Sequence, residues 1–278
     1  MKIAIITGAS SGIGREFALA IDKKYSLDCI WLISRKAEKL EETAALMKTK
    51  TVIIPVDLAQ DNAYDDIDNK LQKEKPHIQL LVNAAGFGKF GGTVTVSDED
   101  AENMINVNIR ALTMITKHCI PYMATGGHII NMASASAFVS LPHFGIYSAT
   151  KSYVLQFSLA LSDELRNSCV GVTAVCPYWV ASEFIPTAQN TVDGDDINNF
   201  MFITYPYTVA DKALCDSEKG KMLSFIGMIP KIIKCLSKVL PIHCQHMIWN
   251  CMRKINPQEN LQYPVQSPLQ EPIDCSDL

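Results

Sequence analysis

The chain has 278 residues, a formal net charge of −4, 48% hydrophobic residues and 19% charged residues. This composition is typical of a globular protein, and the length suits one α/β domain with a sizeable core. The negative net charge is a poor electrostatic match for nucleic acid, so we expect no nucleic-acid partner. No stretch approaches the roughly 18 apolar residues that a membrane-spanning helix needs.

The nine cysteines are scattered along the chain and form no Cys-x-x-Cys pair. Such a set is typical of reduced thiols. The apolar run Ile3–Ile6 is too short for a secretory signal and leads into a glycine turn. We therefore expect a cytoplasmic protein. The segment His243–Cys251 holds two histidines and two cysteines, but their spacing matches no usual zinc pattern, so no metal site is predicted.

Short β-rich runs alternate with helical patterns, which indicates a parallel sheet covered by helices on both faces. The runs are almost continuously apolar, as expected of strands that are buried on both sides. The predicted strands are Lys2–Thr7, Cys29–Ser34, Thr51–Asp57, Leu80–Asn83, His128–Met132 and Val170–Cys176.

Three helices can be predicted between these strands. The second begins at Ser97-Asp-Glu-Asp, which resembles a capping box. The predicted spans are Gly12–Gly14 to beyond Ala20, Ser97 to about His118, and a third helix that carries Tyr147 and Lys151 and ends at about Asn167.

Glycines follow the first predicted strand and open the first predicted helix, in the run Thr7-Gly-Ala-Ser-Ser-Gly-Ile-Gly14. Glycines at this place allow a tight turn and let backbone N–H groups approach a pyrophosphate. The positive N-terminal end of the following helix stabilises the same anion. The run therefore predicts a dinucleotide site, with contacts from Gly8, Ser10, Ser11, Gly12, Ile13 and Gly14.

The end of the second predicted strand indicates which dinucleotide binds. An acidic residue there would hold the ribose hydroxyls of NAD, whereas this chain has Ile33-Ser-Arg-Lys36. Arg35 can form a bidentate pair with the 2′-phosphate of NADP. The plainer alternative is a solvated Arg/Lys pair that opens a helix. We predict NADP, as NADPH, for the cofactor.

A Tyr-x-x-x-Lys pair lies in Tyr147-Ser-Ala-Thr-Lys151, and Ser134 precedes the tyrosine by thirteen residues. Residues four apart stack on one helical face, so the two side chains are neighbours. A tyrosine has an ordinary pKa near 10 and is a poor acid or base at neutral pH, but a nearby ammonium lowers that pKa. Taken alone, the Tyr/Lys pair is more often an amphipathic surface pair.

Together, in this order and spacing, these motifs resemble the short-chain dehydrogenase/reductase family over roughly residues 1–185. The resemblance implies a Rossmann-type, doubly wound parallel sheet of about seven strands, followed by a C-terminal helical extension. It also implies that Tyr147 exchanges a proton with the substrate oxygen and that Ser134 hydrogen-bonds this oxygen. Lys151 then serves both the tyrosine and the cofactor ribose.

The family's fourth catalytic member holds a water that joins the lysine to solvent. Asn108 matches it, and Asn106 is the competing candidate. Tyr178 stands where the family usually has a glycine, so Tyr178 and Trp179 either line an apolar pocket or are ordinary packing. Further implied cofactor contacts are Asp57 and Leu58 at the adenine, Asn83, Ala84 and Gly86 at the sheet and ribose, Tyr147 and Lys151, and Pro177, Val180 and Ser182 beside the nicotinamide.

We expect one domain over residues 1–258, in which the segment of about 183–258 closes over the substrate as a lid. Residues 259–278 are expected to be a disordered tail, because prolines recur there and large apolar residues are few. Aromatic residues after Ser182 favour a hydrophobic substrate such as a steroid, a lipid or a fatty-acyl ketone. They are Phe184, Phe200, Phe202, Tyr205 and Tyr207.

The predicted function is the NADPH-dependent interconversion of a carbonyl and an alcohol. The alternatives are an NAD-linked alcohol dehydrogenase and a catalytically idle, nucleotide-sensing interaction protein. The complete set of Asn108, Ser134, Tyr147 and Lys151 argues against an idle site. The resemblance further implies a homo-oligomer that packs through the helices near 97–118 and 144–167.

From Lys219 to Gln258 the chain holds seven Lys or Arg residues and no Asp or Glu. In one interpretation the apolar face of this stretch packs on the substrate lid. In the other, the stretch contacts an anionic membrane surface or an acidic partner such as an acyl carrier. Ile232, Ile233, Leu236, Val239 and Leu240 share the apolar helical face, and Lys231, Lys234 and Lys238 share the opposite face.

Overall fold

The computed structural model describes residues 1–191, 197 and 200–254, so the tail predicted for 259–278 lies outside the described residues. The strands are β1 (Lys2–Thr7), β2 (Cys29–Ser34), β3 (Thr51–Pro55), β4 (His77–Asn83), β5 (Met123–Met132), β6 (Gly171–Cys176) and β7 (Leu223–Phe225). They form one sheet in the order β3-β2-β1-β4-β5-β6-β7, and all pairings between them are parallel.

Helices follow most strands and cover both faces of the sheet. They are α1 (Gly12–Lys24), α2 (Ala37–Ala44), α3 (Asp65–Glu74), α4 (Asp98–Ile105), α5 (Leu112–Cys119), α6 (Gly145–Glu164), α7 (Phe184–Gln189), α8 (Pro206–Glu218), α9 (Ile229–Val239) and α10 (Ile242–Lys254).

Apolar side chains alternate along the strands between two cores. Ile3 and Ile5 of β1 pack in a core with residues of α3, α5 and α6. Ala4 and Ile6 pack on the other face, with residues of α1 and α8. All four side chains are fully buried, which explains why the strand reads as one continuous apolar run. The predicted doubly wound α/β fold is confirmed.

The strand order places the site. β1 has β2 on one side and β4 on the other, so the connections that leave β1 and β4 diverge from each other. In open parallel sheets this reversal leaves a crevice at the carboxyl ends of the strands, and ligands bind there.

The helix predicted from Ser97 to about His118 is interrupted. Its start is as predicted, because the Ser97 hydroxyl accepts a hydrogen bond from the Asp100 N–H at 3.1 Å. One turn of π-helix, Asn106–Ala111, then separates α4 from α5. Such turns insert an extra residue into a helix and are frequent at functional sites. Here the turn carries Asn108, which is fully buried.

Candidate active site

A cavity of about 820 Å³ lies at the carboxyl edge of the sheet. Its lining includes Ser134, Tyr147 and Lys151, and every residue predicted to contact the cofactor except Asn83. The glycine turn after β1 borders one end, and apolar side chains of α9 and α10 border the other. The cavity therefore combines a polar end with an apolar end.

The glycine turn has a backbone that other residues could not adopt. Gly8 and Gly12 have φ angles of +70° and +52°, in the left-handed region that favours glycine. A Cβ atom on Gly14 would lie 2.3 Å from the carbonyl oxygen of Gly8. The Ser11 side chain does not cap α1, so the first-turn N–H groups can bind an anion. The turn thus fits the pyrophosphate of a dinucleotide.

Positive charge lies where β2 ends. Arg35 and Lys36 are exposed at the edge of the cavity. No acidic residue lies between the end of β2 at Ser34 and Glu38. The Ser34 hydroxyl donates a hydrogen bond to the Ser10 hydroxyl at 2.7 Å, which ties this end of β2 to the glycine turn.

A second polar contact at this end of the cavity is an ion pair that the sequence does not predict. The Lys39 ammonium donates to the Glu183 carboxylate at 2.8 Å and so joins α2 to the segment after β6. The Lys39 ammonium and the Ser11 hydroxyl hold the pKa of Glu183 below its ordinary value. Both members of the pair line the cavity. No local pattern marks them, because 144 positions separate them in sequence.

Asn83 does not reach the cavity. It is buried, and its side-chain N–H group donates to the Thr116 hydroxyl and the Asn131 side-chain oxygen, each at 2.9 Å. Asn83 therefore joins β4 to β5 and α5 beneath the site. This is the part of the prediction that placed Asn83 at the sheet, and its side chain does not line the cavity.

Tyr147, in the first turn of α6, meets Ser134, which follows β5. The Ser134 hydroxyl interacts with the Tyr147 hydroxyl and lowers its pKa, and the Ser134 oxygen accepts a hydrogen bond from the Ser136 N–H at 3.1 Å. The Tyr147 ring stacks on Phe144, with centroids 4.4 Å apart, and lies 5.2 Å from the Phe184 ring. These contacts hold the Tyr147 ring in the wall of the cavity.

Lys151 lies one helical turn after Tyr147. Its ammonium donates to the Met132 carbonyl at 2.7 Å and lies 5.7 Å from the centroid of the Tyr147 ring. Burial lowers the pKa of Lys151 to about 8. Burial also raises the pKa of Tyr147 above its ordinary value, and the Ser134 hydrogen bond partly opposes this rise. The sequence predicts that the nearby ammonium lowers the pKa of Tyr147. In the structure burial dominates, and the pKa is raised instead.

Asn108 and Lys151 border one common space. The Asn108 amide donates to the Phe87 carbonyl at 2.9 Å and to the Thr150 hydroxyl at 3.0 Å. A Cβ atom on Gly86 would lie 2.9 Å from the Asn108 side-chain oxygen and 3.3 Å from the Lys151 nitrogen. Glycine therefore keeps open the space that both polar atoms face. Neither Asn108 nor Asn106 lines the cavity itself, and only Asn108 shares this space with Lys151.

The buried ammonium makes stability depend on pH. The pKa of Lys151 is about 8 in the folded chain and 10.5 for an ordinary lysine, so between these values the unfolded chain binds more protons. Stability therefore rises with pH across this window, and we expect wild type to gain about 2 kcal/mol relative to Lys151→Met between about pH 7 and about pH 10. Urea unfolding at both pH values measures this.

Lys73→Met is the control for this measurement, because Lys73 is exposed on α3. In Lys151→Met the Met132 carbonyl loses its hydrogen-bond donor at both pH values. The cost of that lost bond therefore cancels when the stability difference at pH 7 is compared with that at pH 10. A difference between wild type and Lys151→Met that stays constant with pH would contradict the assignment.

The segment after β6 forms the next wall. Tyr178 and Trp179 both line the cavity, and Trp179 is 8% exposed. The Trp179 ring packs edge-on against Phe200, with centroids 5.0 Å apart. Ser182 borders the glycine turn, because a Cβ atom on Gly12 would lie 3.3 Å from the Ser182 Cβ. The apolar-pocket interpretation of Tyr178 and Trp179 fits this arrangement.

Two C-terminal helices close the apolar end. The Trp249 indole N–H donates to the Pro142 carbonyl at 2.8 Å, and His246 hydrogen-bonds Ser140 at 2.7 Å. These bonds hold α10 against the loop that precedes α6. Both helices lie in the segment of about 183–258 that the sequence predicts as a lid, but only the apolar face of α9 stands out in the sequence. The lining residues of the two helices and their connection are Ile229, Ile232, Ile233, Leu236, Ser237, Leu240, Gln245, Ile248, Trp249 and Met252.

The aromatic residues expected to surround the substrate are mostly elsewhere. Phe184 lines the cavity, and Phe200 packs behind it against Trp179. Phe202 and Tyr205 are 68% and 46% exposed, and Tyr205 stacks on Tyr207. The expectation is therefore wrong for the last three residues, because aromatic content alone does not show which way a side chain faces.

Two features are absent from the described part of the chain. It contains no group of three or more His, Cys, Asp or Glu side chains that could hold a metal ion. None of its helices is long and apolar enough to cross a membrane.

The chain is similar in sequence and in fold to known proteins. The chain is 33% identical over 208 residues to the very-long-chain 3-oxoacyl-CoA reductase of Homo sapiens, covering 71% of this chain but 65% of that protein. It is 31% identical over 196 residues to an uncharacterized oxidoreductase of Staphylococcus epidermidis, covering 70% and 83%. The chain thus spans less than two thirds of the length of the human relative.

A short-chain dehydrogenase from Sphingobium yanoikuyae, solved in complex with NADPH, superposes with a TM-score of 0.72 over 94% of this chain and 99% of that one, at 24% identity. The model of the short chain dehydrogenase family matches residues 2–192. Members of this family are oxidoreductases that use NAD(H) or NADP(H). The chain belongs to the short-chain dehydrogenase/reductase family.

Proposed function

We propose that this protein reduces the carbonyl group of a hydrophobic substrate with NADPH, and catalyses the reverse oxidation of the alcohol. The observation that carries the proposal is the shape of the cavity. One continuous space runs from the glycine turn, past the Tyr147 and Ser134 hydroxyls, to apolar side chains of α9 and α10. Because the polar groups gather at the cofactor end and apolar side chains of α9 and α10 line the other end, the cavity favours an apolar substrate.

The roles of the residues follow from their positions. A bound nicotinamide nucleotide supplies the hydride for the carbonyl carbon or accepts it in the reverse reaction. Ser134 donates a hydrogen bond to the substrate oxygen, and Tyr147 donates the proton that this oxygen needs as it becomes a hydroxyl. The raised pKa of Tyr147 keeps the phenol protonated at neutral pH, which suits reduction. Lys151 holds the nucleotide ribose and favours the phenolate left after proton transfer.

NADP(H) is proposed over NAD(H) because of the end of β2. A 2′-phosphate beside Arg35 gains a charge-assisted, bidentate hydrogen bond. The Ser10 and Ser34 hydroxyls lie at the same edge and add neutral donors. A carboxylate that would favour the free ribose hydroxyls of NAD is absent from the residues Ser34–Ala37.

A carbonyl-substrate screen tests the proposal. Straight-chain methyl ketones, steroid ketones and fatty-acyl thioester ketones are each supplied with NADPH or NADH, and oxidation of the cofactor is followed by absorbance. We expect turnover that increases with the apolar size of the ketone and that is faster with NADPH. Tight binding of NADPH with no turnover of any ketone would instead support an idle, nucleotide-sensing protein.

The apolar end should set the size limit for substrates. Ile233 lines the cavity, so Ile233→Trp fills space that a long substrate needs. We expect kcat/KM for long-chain ketones to fall by about tenfold or more, with little change for the smallest ketones. Val239→Trp is the matched control, because Val239 lies on the same helix, is 75% exposed and does not line the cavity. Equal losses for short and long ketones would contradict this view of the cavity.

A further inference from the structure

An apolar surface lies on the last two described helices. Seven of the sixteen large apolar side chains that are exposed in the described residues fall between positions 228 and 248. Gln245 of α10 donates to the Ser237 and Leu240 carbonyls at 3.2 and 2.8 Å, which fixes the turn between α9 and α10. Met228, Ile232, Leu236 and Val239 share one side of α9, and three more lie on α10. We call these exposed side chains together the C-terminal apolar face; they are Met228, Ile232, Leu236, Val239, Ile242, Met247 and Ile248.

The face is continuous with the cavity. Ile232, Leu236 and Ile248 are between 42% and 46% exposed and also line the cavity. These three side chains therefore form a rim where the apolar end of the cavity meets the outer surface. Exposed apolar surface of this extent usually marks a site of contact with another molecule.

Positive charge borders the same face. Lys231 and Lys238 are seven positions apart on α9, so they share one edge of the helix, beside the exposed apolar stripe. Both are exposed, and neither makes a hydrogen bond or ion pair with the described residues. Lys234 instead lies over the Phe225 ring at 5.3 Å. Residues 219–258 contain seven basic and no acidic side chains, although the whole chain carries a net charge of −4.

We propose that the C-terminal apolar face docks on the surface of an anionic phospholipid bilayer. Helix α9 would then lie in the interfacial plane, with its apolar stripe among the upper acyl carbons. The Lys231 and Lys238 stems reach along this stripe to the phosphate headgroups. A second copy of the chain fits less well, because packing on the same face would bring lysines of like charge together. An acidic protein would match the lysines but leave the seven apolar side chains without a partner.

Docking in this orientation places the rim of the cavity against the bilayer. If the proposed function holds, an apolar ketone passes between the bilayer and Tyr147 without crossing water. The docking itself does not depend on that function, since it is a property of α9 and α10.

Vesicle co-sedimentation of the full chain tests the proposal. Vesicles of phosphatidylcholine with about one third phosphatidylserine are compared with vesicles of phosphatidylcholine alone, at low and high salt. We expect binding to the anionic vesicles that weakens as salt rises. Lys231→Glu with Lys238→Glu should lower the partition coefficient by about tenfold or more, since each basic residue near the surface contributes roughly fivefold. Lys23→Glu with Lys73→Glu, at two exposed lysines on α1 and α3, is the charge-matched control.

The apolar contribution has its own variants. Val239→Glu with Met247→Glu should abolish binding to the anionic vesicles, because both side chains are more than 60% exposed on the face. Val94→Glu, at a valine that is 97% exposed elsewhere, should leave binding unchanged. Val239 and Met247 do not line the cavity, so turnover of a water-soluble ketone should also be unchanged.

Three results would overturn the proposal. The first is absence of sedimentation with anionic vesicles while the chain remains folded. The second is a change of oligomeric state in Val239→Glu with Met247→Glu without lipid, which would assign the face to self-association. The third is salt-sensitive binding to an acidic carrier protein with no binding to vesicles. If the wild-type protein binds anionic vesicles but turns over no ketone, this result counts against the proposed function alone.

Discussion

Replacing Tyr147 with phenylalanine is expected to lower kcat for ketone reduction by about 10²–10⁴-fold, the usual cost of losing a general acid. The ring would keep its stack on Phe144 and its contact with Phe184, so the fold should persist. Binding of the reduced nucleotide should change little, because the glycine turn and Lys151 remain. Steady-state kinetics and a fluorescence titration of the reduced nucleotide measure the two effects separately.

Tyr153→Phe is the matched control for this experiment. Tyr153 lies on the same helix, is 38% exposed and hydrogen-bonds the Thr113 hydroxyl at 3.0 Å, away from the cavity. Its replacement removes the same atom without touching the site, and turnover should stay near wild type. A Tyr147→Phe enzyme that keeps most of its turnover would refute the assigned role of the phenol.

Replacing Arg35 with aspartate is expected to reverse the cofactor preference from NADPH to NADH. The change exchanges an attractive pair with the 2′-phosphate for repulsion, and the carboxylate can accept hydrogen bonds from the ribose hydroxyls of NADH. A charge-assisted hydrogen bond contributes about 1.5–3 kcal/mol, so the ratio of kcat/KM values should shift by about 10²-fold or more. The ratio is measured with one ketone and both reduced nucleotides.

Arg166→Asp supplies the comparison for Arg35→Asp. Arg166 is an exposed arginine paired with Asp163 and does not line the cavity, so its replacement should leave the preference unchanged. A wild-type protein that already binds NADH more tightly than NADPH would show that Arg35 is only a solvated side chain at the start of α2.

The strands could be predicted where burial is uniform. β1 and β2 have the predicted bounds because Ile3–Ile6 and Cys29–Ile33 are buried in one of two cores, and the apolar runs are continuous. β5 starts at Met123 rather than His128, because Met123 pairs with Ile78 of β4 ahead of a break in the register at Ala124–Gly127, and no apolar pattern marks this stretch. β7, with three residues, is too short to leave a pattern at all.

The polar end of the site could be predicted because its residues follow strand ends or share a helical turn. Tyr147 and Lys151 are brought together by one helix, and Ser134 by the end of the neighbouring strand. The π-turn that turns Asn108 inward leaves no mark in the sequence. The inward position of Asn83 depends on Thr116 and Asn131, which are 33 and 48 positions away.

The apolar end could not be predicted to the same depth. The bond between Trp249 and Pro142 joins residues 107 positions apart, so no local pattern could place α10 over the cavity. The one available signal was the identity of Trp249 itself, a large ring on a helix with few other aromatic residues. Lys39 and Glu183 were missed for the same reason, since charged side chains seldom reveal their partners.

The central claim is hydride reduction of a carbonyl in the cavity around Tyr147, and isotope transfer tests it most directly. Wild-type protein is incubated with a long-chain methyl ketone and with NADPH deuterated at its transferring carbon, and the product alcohol is analysed by mass spectrometry and NMR. We expect one deuterium atom at the carbinol carbon of every product molecule, transferred from the cofactor as deuteride. The hydroxyl proton should come from solvent through Tyr147. Product alcohol without that deuteron, or no product while NADPH is bound, would contradict it.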